Sequence, residues 1–148
     1  MAGVEALPKE YGYVAIVLAL YSALNSWMTF QVGKARAKYN VRYPAMYASE
    51  EDGNEKGKIF NCVQRAHQNS VENMSVFFML MMVGGIRHPL VCALLGALYT
   101  VARYVYFVRY SSGVPEKRRA PWYFIVLVTF GLMISTISCG VNLIITSP

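Results

Sequence analysis

The chain has 148 residues, of which 55% are hydrophobic and 14% aromatic, and it carries a formal net charge of +6. A soluble domain of this length does not need so many long apolar runs, and their continuous rather than alternating pattern argues against a membrane β-barrel. Four runs approach the roughly 20 residues that an α-helix needs to cross a bilayer. The composition therefore predicts a polytopic α-helical membrane protein, with apolar runs at residues 11–32, 70–86, 89–108 and 121–145.

We predict one membrane domain over residues 1–148, folded as an all-α, up-down bundle of four transmembrane helices. The first apolar run is too long for a removable signal peptide and lacks a small-residue cleavage site in the right place. The predicted helices cover about 11–32, 59–86, 89–110 and 121–145, and the predicted cytosolic loops cover about 33–58 and 111–120.

Basic residues are concentrated in the first and third of the three predicted loops, which lie at the same end of an up-down bundle. The second loop holds Arg87, and the C-terminal tail holds no basic residue. The positive-inside rule then places the first and third loops in the cytosol and both termini in the lumen. The charge therefore indicates membrane topology rather than a nucleic-acid partner. The basic residues of the two loops are Lys34, Arg36, Lys38, Arg42, Lys56, Lys58, Lys117, Arg118 and Arg119.

Patterns typical of metal sites and disulfides are missing from the sequence. Cys62, Cys92 and Cys139 lie in or beside separate apolar segments without paired spacing, so we predict neither a disulfide framework nor a zinc site. We also find no Gly-rich phosphate loop and no Ser/His/Asp arrangement, and we expect no metal. The acidic cluster at residues 50–55 is predicted to be solvated and mobile, and it is assigned no chemistry.

A polar stripe enters the second apolar helix and is the main candidate for a functional site. At about 100° per residue, its side chains fall on one helical face, within about 60° of Arg65. Such a stripe is either a packed polar network or a binding site. Its members are Asn61, Arg65, Gln68, Asn69 and Glu72.

The third predicted helix carries a second polar face, on which Tyr99, Arg103, Tyr106 and Tyr110 follow at spacings of four, three and four. A charge within a membrane segment costs roughly 2.5–3.5 kcal/mol on insertion scales. One interpretation of these charges is an interhelical pair between Arg103 and Glu72 that locks the bundle.

The other interpretation is an anion site, because the charges in the cytosolic half of the bundle do not balance. Glu72 is the only acid in this half of the bundle, whereas five arginines reach the same half. Guanidinium groups bind carboxylates bidentately, so the excess favours a small peptide-like dianion or phospholipid headgroups, and composition does not separate the two. The five arginines are Arg36, Arg65, Arg103, Arg118 and Arg119.

Several motifs of the chain resemble one family of membrane proteins. They are RAHQNSVE at 65–72, ARYVY at 102–106 followed by Tyr110, and RRAP at 118–121. With FNCVQRAHQN at 60–69 and KARAKY at 34–39, they resemble the membrane-associated proteins in eicosanoid and glutathione metabolism (MAPEG). Within that family, the most similar subgroup is the third type of microsomal glutathione S-transferase. The resemblance covers nearly the whole chain.

The resemblance implies a homotrimer of four-helix subunits in the endoplasmic reticulum membrane, with a multi-pass topology and an active site toward the cytosol. It also implies that glutathione binds in a bent conformation between neighbouring subunits, in a site open to the bilayer. By correspondence with the leukotriene C4 synthase branch, the implied glutathione ligands are Arg36, Arg65, His67, Asn69, Glu72, Arg103, Tyr106 and Tyr110.

Two positions depart from the pattern of that branch. His67 stands where the branch has glutamine, and Asn73 stands where it has tyrosine. A hydrogen bond can survive at His67, whereas Asn73 lacks the aromatic hydroxyl. His67 also points away from the face of Arg65, so a ligand role requires contact with a different subunit, and a packing role is the alternative.

The resemblance further implies that an arginine before the fourth helix stabilises the glutathione thiolate. The family's Arg-x-Ala-Pro context matches Arg118, which is the expected catalytic residue. Counting from Tyr110 without a gap lands on Lys117 instead, which indicates one inserted residue in this loop. The alignment of the motif is therefore open by a residue, and Arg119 competes for the role.

The implied activity is glutathione transfer to lipophilic electrophiles, including leukotriene C4 synthase-like conjugation, together with glutathione-dependent reduction of lipid hydroperoxides. Glutathione is then the co-substrate, no metal is needed, and membrane lipids surround the site. The first alternative is a non-catalytic protein that presents lipids, like the family's 5-lipoxygenase-activating branch. The second alternative is a structural membrane protein whose charges only pair internally.

Overall fold

The computed structural model describes residues 7–49 and 54–146. Within these two ranges the chain forms four α-helices, as predicted, and a short 3-10 helix, Pro115–Arg118, precedes the last of them. Residues 50–53 of the predicted acidic cluster lie outside the described residues. The helices are α1 (Tyr11–Tyr39), α2 (Glu55–Arg87), α3 (Pro89–Tyr110) and α4 (Arg119–Thr146).

The helices α1 and α2 reach further toward their shared loop than the predicted membrane segments do. Helix α1 continues to Tyr39 with Arg36 and Lys38 in its last turn, where cations complement the helix dipole, and it ends at Asn40 in a left-handed conformation with φ of 56°. Helix α2 begins at Glu55 because the Asn54 side chain accepts a hydrogen bond from a backbone N–H in the first turn, at 2.9 Å. The first loop is therefore shorter than the predicted loop over 33–58.

The helices alternate in direction along the bundle. At one end, the turn between α2 and α3 is tied to α4, because Arg87 Nη1 donates to Asn142 Oδ1 at 2.7 Å. At the other end, the third loop turns at Gly113, whose φ of 82° favours glycine and where a Cβ would lie 2.8 Å from the side chain of Ile59 near the start of α2. The first and third loops therefore share one end of the bundle, which is called the loop end below.

An aromatic cluster holds α1, α2 and α3 together in the middle of the bundle. The rings of Phe77 and Tyr99 are stacked, with centroids 4.1 Å apart and planes 7° apart. Tyr21 of α1 packs on both rings, at 4.6 Å from Phe77 and 5.6 Å from Tyr99. All three side chains are buried. This packing fixes the position of α3 relative to α2. It therefore also fixes the positions of the α3 residues that lie one and two turns beyond Tyr99.

The outer surface of the bundle is apolar. In the described part of the chain, three helical stretches are long and apolar enough to cross a membrane: Tyr11–Tyr39, Pro89–Tyr110 and Pro115–Thr146. Helix α2 does not meet the same criterion, because its first half carries the polar stripe. Large side chains on this surface include Leu20, Leu94, Leu127 and Ile134, each exposed by more than half.

Candidate active site

Two adjoining clefts lie at the loop end of the bundle, and the polar stripe of α2 forms part of both. The smaller has a volume of about 70 Å³ and is lined only by polar side chains: Arg65, Gln68, Asn69, Glu72 and Arg118. The larger has a volume of about 470 Å³ and a mixed lining: Asn69, Tyr106, Pro115, Glu116, Arg118, Arg119, Trp122 and Tyr123. Because Asn69 and Arg118 line both, they separate a polar compartment from an amphipathic one.

Arg118 occupies the junction between the two clefts. It is the last residue of the 3-10 helix, and its guanidinium carbon lies 4.6 Å from the ring centre of Tyr110, a favourable cation–π distance. Tyr110 is buried, and its ring meets the ring of Tyr106 edge-on with centroids 5.8 Å apart. Arg118 also lies close to the Tyr106 hydroxyl. Arg119, in contrast, is exposed and lines only the larger cleft. Of the two competing arginines, Arg118 is the one held between the clefts.

Arg65 and Glu72 stand on the same wall of the smaller cleft. Arg65 is exposed and lies close to the hydroxyls of Tyr47 and Tyr110. Glu72 is also exposed, and it forms no hydrogen bond or ion pair with any other described residue of the chain. The predicted alternative of an interhelical pair between Arg103 and Glu72 is therefore not formed between these described residues.

Arg103 lies behind the smaller cleft rather than in its lining. Only 2% of this residue is exposed. Its Nε and Nη2 both donate to the Tyr99 hydroxyl, at 3.0 and 2.9 Å, and its Nη1 donates to Asn69 Oδ1 at 2.7 Å. The Asn69 side chain thus stands between the guanidinium and the clefts.

Two of the expected glutathione ligands lie apart from this cluster. Arg36 Nη1 donates to the Ala45 carbonyl at 2.7 Å, and its guanidinium carbon lies 4.5 Å from the Tyr43 ring centre. His67 Nε2 lies 3.1 Å from Thr29 Oγ1 on α1, away from the Arg65 face, as the helical periodicity predicts. Neither residue lines the two clefts.

The remaining polar residues of the stripe hold the first loop against α2. The Asn61 side chain accepts from the Ala48 N–H at 2.8 Å and donates to the Ala48 carbonyl at 3.1 Å. Beside it, the Tyr47 hydroxyl donates to Gln68 Oε1. We did not predict a role for Tyr47, because a loop residue leaves no periodic signal. Trp122 and Tyr123 of the larger cleft were also missed, although an aromatic pair directly after the RRAP motif is a usable signal.

Metal-ligating side chains are dispersed in the part of the chain that the structure describes, where no three His, Cys, Asp or Glu residues are close enough to share an ion. The three cysteines are all buried: Cys62, Cys92 and Cys139.

Comparison with known proteins gives a family for this arrangement. The model of the MAPEG family matches residues 14–138. Three proteins named microsomal glutathione S-transferase 2 are similar to the chain: that of Homo sapiens is 35% identical over 105 residues, that of Mus musculus 36% over 106, and that of Bos taurus 32% over 108. The matches cover 70%, 71% and 70% of this chain, respectively.

The same matches span 66%, 66% and 68% of the length of the human, mouse and bovine relatives. These relatives bear the name of the second type of microsomal glutathione S-transferase, close to the third type that the motifs predicted but not identical with it. The family model covers most of the helical bundle, including both clefts. The chain therefore belongs to the MAPEG family.

Proposed function

We propose that this protein is a glutathione transferase of the membrane that also reduces lipid hydroperoxides with glutathione. The observation that carries the proposal is the position of Arg118, a guanidinium held over Tyr110 between a polar cleft and an amphipathic one. Such a cation lies where the sulfur of a peptide thiol in the first cleft meets an apolar acceptor in the second. The names of the mammalian relatives support glutathione as the thiol.

The polar cleft suits the ends of glutathione, which carries two carboxylates and one ammonium group. Arg65 and the Tyr110 hydroxyl beside it would hold a carboxylate, and Glu72 would bind the ammonium. Binding pockets for whole small molecules have volumes of about 300–1,000 Å³, so a cleft of about 70 Å³ holds only part of the tripeptide. We propose that a neighbouring subunit of a homotrimer completes the site, with Arg36 and His67 facing it.

Activation of the thiol is assigned to Arg118. A thiol with a pKa of about 8.5 is only a few per cent ionised at neutral pH. A fixed guanidinium lowers the pKa of the bound thiol by stabilising the anion, and it does not need to accept the proton itself. Tyr106, whose hydroxyl lies close to Arg118, can donate a hydrogen bond to the same sulfur.

The larger cleft would hold the acceptor, with Trp122 and Tyr123 as its apolar wall. With an epoxide, the thiolate forms a carbon–sulfur bond, the carbon–oxygen bond breaks, and the alkoxide takes a proton from water. With a lipid hydroperoxide, the thiolate attacks the terminal oxygen and the oxygen–oxygen bond breaks. The lipid leaves as its alcohol after protonation, and a second glutathione converts the sulfenic acid to glutathione disulfide and water.

Calorimetric titration of the purified, detergent-solubilised protein with glutathione tests this proposal, with conjugation and hydroperoxide turnover measured on the same preparation. We expect saturable binding and both activities. The two alternatives, a non-catalytic protein that presents lipids and a structural protein with internally paired charges, both predict no glutathione binding. Binding with conjugation but without hydroperoxide turnover would remove the peroxidase part alone.

We place the enzyme in the endoplasmic reticulum membrane, with the loop end toward the cytosol.

A further inference from the structure

A chain of hydrogen bonds runs from the core of the bundle to the wall shared by the two clefts. It starts at the Tyr99 hydroxyl, which accepts from Nε and Nη2 of Arg103 at 3.0 and 2.9 Å. It ends at Asn69 Oδ1, which accepts from Nη1 of Arg103 at 2.7 Å. Only Asn69, the last member of the chain, lines the clefts.

The contact with Arg103 decides which way the Asn69 amide faces. A guanidinium has five donors and no acceptor, so only the oxygen of the amide can pair with it. The Nδ2 group of Asn69, with its two donors, is therefore left on the side away from Arg103. Within the described subunit this group forms no hydrogen bond.

The guanidinium that imposes this orientation is itself held rigidly. Its carbon lies 5.0 Å from the ring centre of Tyr99 and 5.9 Å from that of Tyr106, so aromatic rings offset part of the cost of burying the charge. Tyr99 is fixed in turn by its stacked contact with Phe77. With only 2% of Arg103 exposed, the structure keeps this cation out of the clefts and leaves Asn69 as its contact with them.

We infer that Arg103 is a positioning residue, which turns Asn69 so that Nδ2 donates a hydrogen bond to an oxygen acceptor of the bound ligand. This inference rests on the proposed function and deepens it. The acceptor is a carboxylate or a peptide carbonyl of glutathione, and Asn69 does not accept from the ammonium group. Arg103 thereby acts through Asn69, instead of holding a carboxylate itself as the resemblance implies.

The variant Asn69→Asp tests the direction of the amide. Its carboxylate still accepts from Arg103, but it offers the ligand an oxygen in place of a donor. We expect the Kd for glutathione to rise about 10- to 100-fold, the range for a lost hydrogen bond to a charged group. Unchanged or tighter binding would mean that the oxygen faces the ligand ammonium, which would overturn the inference.

A matched control separates the lost donor from the added charge. Gln68→Glu introduces the same negative charge into the same cleft, keeps an acceptor for the Tyr47 hydroxyl, and leaves the Asn69 amide in place. We expect a clearly smaller rise in Kd for Gln68→Glu than for Asn69→Asp. Equal losses from the two variants would show that charge alone explains the effect and would overturn the inference.

A double-mutant cycle tests whether Arg103 acts only through Asn69. We expect Arg103→Met to raise the Kd for glutathione about tenfold in the native background and less than about twofold in the Asn69→Ala background. In the native background the KM for glutathione should rise while kcat at saturation changes by less than about threefold, because Arg118 is intact. A similar loss in both backgrounds would show that Arg103 contacts the ligand itself.

A milder variant keeps the test decisive if Arg103→Met does not yield folded protein. Tyr99→Phe removes the acceptor of two Arg103 N–H groups but keeps the ring stacked on Phe77. We expect a rise of about threefold or more in the KM for glutathione, and an unchanged KM would contradict the inference. Failure of the native protein to bind glutathione would overturn the proposed function together with this inference. Native binding that Asn69→Asp leaves intact would overturn only the inference.

Discussion

Replacement of Arg118 by alanine separates the binding of glutathione from its activation. Arg118 contacts Tyr110 and lines both clefts, but the ligand carboxylates and ammonium are assigned to other side chains of the smaller cleft. We therefore expect the Kd for glutathione in Arg118→Ala to change by less than about threefold at pH 5, where the bound thiol is protonated in both proteins, and to rise about tenfold at neutral pH, where the native protein binds the thiolate. The loss should appear in turnover, because the guanidinium interacts most strongly with the charge that the sulfur carries in the reaction.

The size of the loss follows from the charge at the junction. A sulfur anion about 4 Å from a guanidinium gains up to about 4 kcal/mol at the dielectric typical near a protein surface. One pKa unit corresponds to about 1.36 kcal/mol, so the pKa of the thiol falls by about two to three units. The thiolate becomes the major form at neutral pH, although its lower basicity removes part of the gain in rate. The smaller thiolate fraction and the lost contact with the transition state act together, and we expect kcat to fall about 10²- to 10³-fold.

The assay is conjugation of glutathione to a chromogenic aryl halide, measured as a function of pH at saturating glutathione. In the native protein the thiol pKa is lowered, so the rate should be level above neutral pH and should fall as the pH drops through that lowered value. In Arg118→Ala the rate should climb about tenfold per pH unit until it approaches the ordinary thiol pKa of about 8.5. High pH therefore partly rescues the variant.

Arg119→Ala is the matched control, because it removes the neighbouring guanidinium that lines only the larger cleft. We expect it to change kcat by less than about threefold, since one exposed charge outside the reaction centre has a small effect. A larger loss in Arg119→Ala than in Arg118→Ala would refute the assignment and move the role by one residue. A large loss of glutathione binding in Arg118→Ala, with normal turnover of the remaining complex, would refute it as well.

Three further predictions concern other residues of the site and the loop. In Glu72→Gln, the calorimetric Kd for glutathione should rise about 10- to 100-fold through loss of an ionic partner for the ammonium, and an unchanged Kd would remove Glu72 from the site. In Trp122→Ala, the KM for a lipophilic acceptor should rise about tenfold through loss of apolar contact, while the Kd for glutathione stays constant; the opposite pattern would exchange the roles of the two clefts. In Asn61→Ala, loss of both hydrogen bonds to Ala48 should destabilise the protein by about 1–3 kcal/mol, seen as a lower midpoint of thermal unfolding in detergent; an unchanged midpoint would show that the loop is held by other contacts.

Periodicity alone predicted the polar stripe of α2, because a straight helix places residues three and four apart on one face. Arg65, Asn69 and Glu72 do share the wall of one cleft. Periodicity does not report depth, however: it places Arg103 on a polar face of α3 but does not show that only 2% of this residue is exposed. Tyr99 and Arg103 share a face of α3, but that face turns into the bundle, where the aromatic cluster around Phe77 buries it.

Loop residues were the least predictable part of the site. Arg36 belongs to the predicted first loop but lies in the last turn of α1, where its Nη1 donates to the carbonyl of the loop residue Ala45. That contact arises because the first loop folds back onto the end of α1, and no local pattern in the loop encodes this path. The contact of Tyr47 with Gln68 has the same origin.

The central claim, that Arg118 creates the glutathione thiolate, is tested most directly by ultraviolet difference spectroscopy of the thiolate band at neutral pH. Glutathione is added to saturation to the native protein, to Arg118→Ala and to Arg119→Ala, with occupancy confirmed by calorimetry. We predict the thiolate band in the native protein and in Arg119→Ala, and its loss in fully occupied Arg118→Ala. A band of equal height in occupied Arg118→Ala would contradict the account.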